Sequence, residues 1–182
     1  MPARLAQRLE EIVANGRLVR IKRRLEESPL RGYVLAAGSD HVLMAVVSDR
    51  IRYDGFTCLR RVDLKSVKDD PYAEFAEEAL RRRGTQRPPT PALSLESTRT
   101  ILESASILFP LLTIHREKAD PDVCHIGKVV ATNRSRVELL EIDPRAHWHK
   151  TATSIALKGI TRIDFAGDYE DALALVGGPA VA

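Results

Sequence analysis

Arg31-Gly32-Tyr33-Val34-Leu35-Ala36-Ala37-Gly38-Ser39-Asp40-His41-Val42-Leu43-Met44-Ala45-Val46-Val47 holds two apolar, β-branched runs on either side of Gly38-Ser39-Asp40. Gly, Ser and Asp are turn formers, so the segment reads as two antiparallel strands, 32–37 and 42–47, joined by a reversal. Upstream, Leu18 to Leu25 alternates around Val19 and Ile21 and adds a strand. Downstream, Phe56 to Leu59 and Leu64 to Val67 add two more. Leu5, Leu9, Ile12 and Val13 recur at helical spacing and end at Asn15-Gly16, a C-terminal stop. Tyr72 to Arg83 reads as a closing helix.

The same pattern recurs further along. At an offset of 95, Val19 falls on Ile114, Gly32 on Gly127, Val34 on Val129, Val42 on Val137, Val47 on Ile142 and Tyr53 on Trp148. Small slips then bring Leu64 onto Ile160 and Val67 onto Ile163. This implies two tandem copies of one unit. In the second copy Ser94 or Ser97 caps a helix that ends before Pro110. Strands follow at 111–116, 128–131, 137–142, 147–157 and 161–165, then a helix at 169–176. Arg87-Pro88-Pro89-Thr90-Pro91 sits in the middle of an extended spacer. The expected organisation is a first helix-plus-barrel copy at 1–84, a Pro-rich linker at 85–92, and a second copy at 93–178.

Composition is globular, with 44% hydrophobic and 29% charged residues. Charge interrupts every apolar run well before the roughly 20 residues that span a bilayer, so no membrane partner is expected. Arg4, Arg8, Glu10 and Glu11 break up the first sixteen residues where a secretory signal needs an apolar stretch, and a cytoplasmic address is the expectation. Cys58 and Cys124 are too few for a disulfide framework. Residues 1–91 hold 18 Lys+Arg against 13 Asp+Glu, a balance of +5, whereas residues 92–182 hold 10 against 12, a balance of −2. The basic half is the one suited to an anionic partner.

A leading helix, five short strands, and Gly-x-Val before a turn and a β-branched third strand resemble the Sm-like small β-barrel family. The residues that carry the resemblance are Arg31-Gly32-Tyr33-Val34-Leu35, Ser39 to Met44 and Leu59 to Leu64 in the first copy. In the second copy they are Ile126 to Val130 and Leu157-Lys158-Gly159-Ile160-Thr161. The resemblance implies a mainly β, α+β fold class: two tandem five-stranded Sm-like β-barrels, each preceded and followed by a helix. It also implies single-stranded RNA as a partner, held between a side chain in the turn after the second strand and an Arg-containing loop near the fifth. In this sequence His41, Arg60 and Arg61 occupy those places, without the family's accompanying Asn in the first copy.

Alternation around Ile21 puts Arg20, Lys22 and Arg24 outward as a cationic edge, which joins His41, Arg60 and Arg61 as the candidate nucleic-acid contacts. Tyr53 and Trp148 are the candidate interface anchors for a homodimer, because large amphipathic rings contribute disproportionately when buried at a contact. His147 and His149 share one strand face, and with Cys124 and His125 they form the one grouping with metal-ligand chemistry. Nothing in the spacing makes the four converge, and no metal or cofactor is expected. Nucleophile elbow, phosphate loop, dinucleotide turn and His-Glu-x-x-His motifs do not occur. The expected function is a non-enzymatic binding or assembly module. Single-stranded RNA binding by the basic first copy is the first alternative and an enzyme with a site at the inter-copy boundary the second.

Overall fold

The computed structural model describes residues 3–180. The chain divides after Thr90 into two compact units. The first runs α1 (Ala3–Asn15), β1 (Leu18–Arg23), β2 (Leu30–Ala37), β3 (His41–Val47), β4 (Tyr53–Arg60), a 3-10 turn (Arg61–Asp63), β5 (Leu64–Asp69) and α2 (Ala73–Arg82). The second runs α3 (Thr98–Leu108), β6 (Leu112–His115), β7 (Cys124–Thr132), β8 (Arg136–Glu141), β9 (Thr153–Ala156), a 3-10 turn (Leu157–Gly159), β10 (Arg162–Phe165) and α4 (Asp168–Gly177).

All pairings within the units are antiparallel, in the order β5-β1-β2-β3-β4 in the first and β10-β6-β7-β8-β9 in the second. The closed five-stranded Sm-like barrels expected from the sequence are therefore corrected to open antiparallel sheet, flanked by four helices. Closure would require a ladder between the first and last strands of that order. Among the described residues β5 has β1 as its one neighbour in the first unit, and β9 has only β8 in the second. Alternation in a sequence says which face of a strand is buried and is silent on whether the sheet's ends meet, because closure depends on tilt and stagger.

In the first unit successive residues of one strand serve opposite faces. Val19, Val34 and Met44 join Leu9 and Ile12 of α1 in the main core. Leu18, Tyr33 and Val47 instead meet Ala76 and Leu80 of α2. Leu9 and Ile12 are both at most 1% exposed, and each contributes about 2 kcal/mol by burial. The second unit places Leu111, Ile142 and Leu173 in one such cluster, and α3 packs on β6 and β7. Ser97 starts α3 with a reciprocal capping box in which Thr100 is the partner.

Corresponding geometry recurs inside each unit. Gly32 pairs with Val46 and Gly127 with Glu141, and a register shift follows at Val34/Ala36 and at Val129/Ala131. The turn after β3 is closed by Ser48 N–H to Arg52 O and Ile51 N–H to Ser48 O, both 2.9 Å; Asp143, His147 and Ala146 repeat those two bonds at 2.9 Å. Ile51 and Ala146 both have positive φ, 55° and 61°.

One expected equivalence is corrected. Val19 faces Gly32 while Leu112 faces Gly127, so Val19 corresponds to Leu112, and Ile21, not Val19, corresponds to Ile114. The connection from β6 to β7 is two residues longer than that from β1 to β2. A two-residue slip preserves a period-2 pattern, so apolar alternation does not register it. The strand expected over 147–157 is also shorter. Trp148 forms an isolated bridge to Ile142, and the regular ladder begins only at Thr153.

Candidate functional site

The amphipathic helix α1 buries Leu9 and Ile12 and leaves Arg4, Gln7, Arg8 and Glu11 on the flank beside β5, at the i, i+3, i+4, i+7 spacing of one helical stripe. Strand β5 is the unit's edge, and Lys65 and Lys68 project from it into solvent. Arg24, just past β1, is held by its backbone N–H on Asp63 O at 2.9 Å and by Nη1 on Val62 O at 3.0 Å. These elements enclose a groove of about 740 Å³. Among the described residues five cations line it, Arg4, Arg8, Arg24, Lys65 and Lys68, against one carboxylate, Glu11, with half-buried Leu5 and the buried Leu64 and Val67 beneath. Arg24 and Lys65 also line a neighbouring recess that adds Lys22 and Arg23 together with the carboxylates of Glu26 and Glu27. Arg8 is partly neutralised, by Asp69 at 2.7 Å and Glu11 at 3.4 Å.

Of the residues singled out in the sequence, Lys22 and Arg24 are exposed and belong to this basic surface. Arg20 lies elsewhere: its Nε donates to the buried carboxylate of Asp70 at 2.8 Å, which Arg31 Nε also reaches at 2.9 Å. Burial alone would raise the Asp70 pKa. The bonds from Arg20 and the Tyr72 N–H, with the charges of Arg20 and Arg31, outweigh that and hold the carboxyl below its ordinary range. His41 is 5% exposed and lies opposite Arg60 in the β3–β4 ladder; burial is the main cause that lowers its pKa. Arg60 Nε donates to Asp63 at 2.7 Å, and Arg61 Nη1 to the Gly38 carbonyl at 2.5 Å. These contacts tie the 3-10 turn to the β2–β3 reversal. His41, Arg60 and Arg61 therefore have structural neighbours of their own and do not join Arg24 in the groove.

Both aromatic anchor candidates contact their own unit. Tyr53 packs near Tyr33, with ring centroids 6.2 Å apart. Trp148 is half-buried against the Leu111, Ile142 and Leu173 cluster, and its Nε1 donates to the carbonyls of Gly177 and Gly178 at 3.3 and 3.2 Å.

The titratable groups of the second unit form pairs. His115 Nε2 lies 2.9 Å from Asp164 Oδ2, and Arg162 Nε donates to Asp164 Oδ1 at 2.8 Å. Burial opposes ionisation of Asp164, yet these two partners bring its pKa down to about 2. Cys124 lies directly across from His115 in the β6–β7 ladder. The residue is exposed, yet partial desolvation of its thiol first, then the charges of Asp164 and Glu170, push it above the ordinary value, the reverse of what an activated nucleophile needs. His125 meets Glu141 at 3.1 Å, while His147 lies 3.7 Å from Asp143. Among the described residues no group of three or more His, Cys, Asp and Glu is placed to hold a metal ion. No helix among them is long and apolar enough to cross a membrane.

Comparison with protein families, curated proteins and solved structures finds no match to this chain. Four groove residues, Arg4, Arg8, Lys65 and Lys68, were not singled out by sequence reasoning. The available signal was the Arg4/Arg8 pair at i, i+4 on α1. Its meeting with β5 depends on packing between elements some 60 residues apart in the chain, which no local pattern encodes.

Proposed function

We propose that this chain is a non-enzymatic binding module whose first unit takes the sugar-phosphate backbone of single-stranded RNA in the groove between α1 and β5. The observation that carries the reading is the convergence there of Arg4, Arg8, Arg24, Lys65 and Lys68, of which Arg8 is partly neutralised by Asp69 and Glu11. Such a surface attracts a polyanion and releases its counterions. Among the described residues, half-buried Leu5 is the one apolar lining residue with surface to offer a sugar or an unstacked base, since Leu64 and Val67 belong to the core. The groove has no aromatic platform, so recognition is tolerant of sequence. Duplication of one ancestral unit belongs to the same proposal, supported by the shared strand order and by the matching turns at Ile51 and Ala146; the second unit, with its net negative charge, then does not share the RNA-binding role. Titrating labelled single-stranded RNA with the full chain and with a Lys65→Glu/Lys68→Glu variant tests the reading. Binding that is lost in the variant supports it, and equal binding by both overturns it.

A second reading is self-assembly. It is favoured by the edge strand β9, Thr153-Ser154-Ile155-Ala156, which has one neighbour and no charged side chain to deter pairing. The opposite is true of β5, whose Lys65 and Lys68 are the kind of residues that blunt an edge. Light scattering across a concentration series separates the readings: one chain mass throughout rejects assembly.

A further inference from the structure

A second feature of the first unit is independent of the groove. Tyr33 on β2 faces α2, is 2% exposed, and donates its hydroxyl to Glu77 Oε1 at 3.2 Å. Tyr53, at the start of β4, inclines toward it at 41°. Over the Tyr33 ring, 3.8 Å from its centroid, sits the guanidinium of Arg87. Arg87 Nη2 also donates to the Gly16 carbonyl at 2.7 Å, and Tyr53 lines the same recess. Thus one planar cation meets an aromatic face and a main-chain carbonyl, with Tyr53 and the carboxylate of Glu77 lining the same recess of about 500 Å³. Ring faces and oriented acceptors are what a guanidinium binds, and its planar fork matches them better than an ammonium does. The other cations at the rim are paired elsewhere: Arg81 with Glu78 at 2.7 Å and Arg17 with Asp69 at 3.5 Å.

The resident cation comes from the extended segment Arg87-Pro88-Pro89-Thr90-Pro91, not from the sheet or helices that build the recess. Arg87 is itself exposed as a residue, so the recess is filled from outside by a side chain on a tether. The corresponding place in the second unit does not repeat it. Lys128 stands where the register puts Tyr33, and Trp148 spends its ring nitrogen on Gly177 and Gly178.

We propose that Tyr33, Tyr53, Glu77 and the Gly16 carbonyl form a guanidinium-binding site, that Arg87 is its built-in ligand, and that an arginine side chain of a basic peptide takes the same place. A short tether holds Arg87 at an effective concentration on the order of millimolar, so a single external arginine competes poorly until Arg87 is removed. The site is tested with the full chain by titrating N-acetyl-arginine amide into wild type and Arg87→Ala while following the Tyr ring resonances by NMR. Saturable binding at the Tyr33 and Tyr53 rings in Arg87→Ala is expected, at least tenfold tighter than in wild type. N-acetyl-lysine amide should bind several-fold more weakly, and Arg87→Ala/Tyr33→Leu should not bind. Equal shifts in wild type and Arg87→Ala, or equal affinity for the lysine probe, would overturn the proposal. If Arg87→Ala loses its fold by circular dichroism, Arg87→Gln carries the same comparison. Loss of fold in both also overturns the proposal, because Arg87 is then a fixed part of the unit and not an exchangeable ligand.

Discussion

Arg20 donates from Nε to Oδ2 of Asp70 at 2.8 Å, joining β1 to the residue that follows β5 and precedes α2. The Asp70 side chain is 0% exposed, Arg31 reaches the same oxygen at 2.9 Å, and the other oxygen accepts the Tyr72 N–H at 2.7 Å. Removing the carboxylate leaves two guanidiniums with no counter-charge and the entry to α2 without its bond. Breaking a buried pair from one side costs about 3 kcal/mol. Asp70→Ala is therefore expected to destabilise the first unit by about that amount, measured by chemical denaturation. A change below about 1 kcal/mol would show that the cluster is relaxed in solution.

Stability should fall toward acid in two windows. His41 has a folded pKa depressed below 6.5 by burial, so the unfolded chain takes up its proton first, and stability declines as the pH drops below about 6.5. Asp70 and Asp164 are depressed below 3.8, Asp164 to about 2. Their contribution is complete above the unfolded value and disappears as the pH falls from about 4 toward 2, with Asp164 supplying about 2 kcal/mol of it. Denaturant midpoints at pH 7.5, 5.5 and 3 should decrease in that order. His41→Gln should flatten the upper window and leave the lower one in place.

Gly32 and Gly127 sit against the backbone of a neighbouring strand, with no room for a side chain. A Cβ at Gly32 would collide with the Ala45 carbonyl oxygen, and one at Gly127 with the Leu140 carbonyl oxygen. Neither obstacle is a flexible side chain, so the strand pairs must separate. Gly32→Ala and Gly127→Ala should each cost about 3 kcal/mol and lower Tm by about 10 °C or more for units of this size. Differential scanning calorimetry gives the values directly, and an unchanged Tm in either variant would contradict the close strand approach.

RNA affinity, if it resides in the groove, should depend on salt in proportion to the cations engaged. With Arg8 held by Asp69 and Glu11, four phosphate contacts on a single strand give a slope of log K against log salt of roughly −2.8, and the Lys65→Glu/Lys68→Glu variant should retain roughly −1.4 or less in magnitude. Arg60→Ala/Arg61→Ala should leave the slope unchanged, because Arg60 and Arg61 are bonded to Asp63 and Gly38. A slope that responds to Arg60 and Arg61 and not to Lys65 and Lys68 would move the interface to the 3-10 turn.

The sequence by itself determined the elements. Period-2 alternation in 18–23, the continuous apolar, β-branched run of 42–47, the Gly-Ser-Asp reversal, the helical spacing of Leu5, Leu9 and Ile12, and a serine cap for α3 are all local features that local sterics and hydrogen bonding enforce, although the structure chose Ser97 over Ser94. Tertiary structure alone decided three further matters. The sheet stays open, because closure depends on strand tilt and stagger, which alternation does not specify. By register from the close-approach glycine, the position that matches Ile114 is Ile21 and not Val19, because a two-residue slip is invisible to a two-residue period. Which cations face solvent together was decided by packing: Arg20 and Lys22 look alike in the sequence, yet Arg20 is committed to an aspartate fifty residues away while Lys22 stands exposed. A charge's role depends on what the fold brings within a few ångströms of it, and long-range contacts leave no periodic trace in the chain.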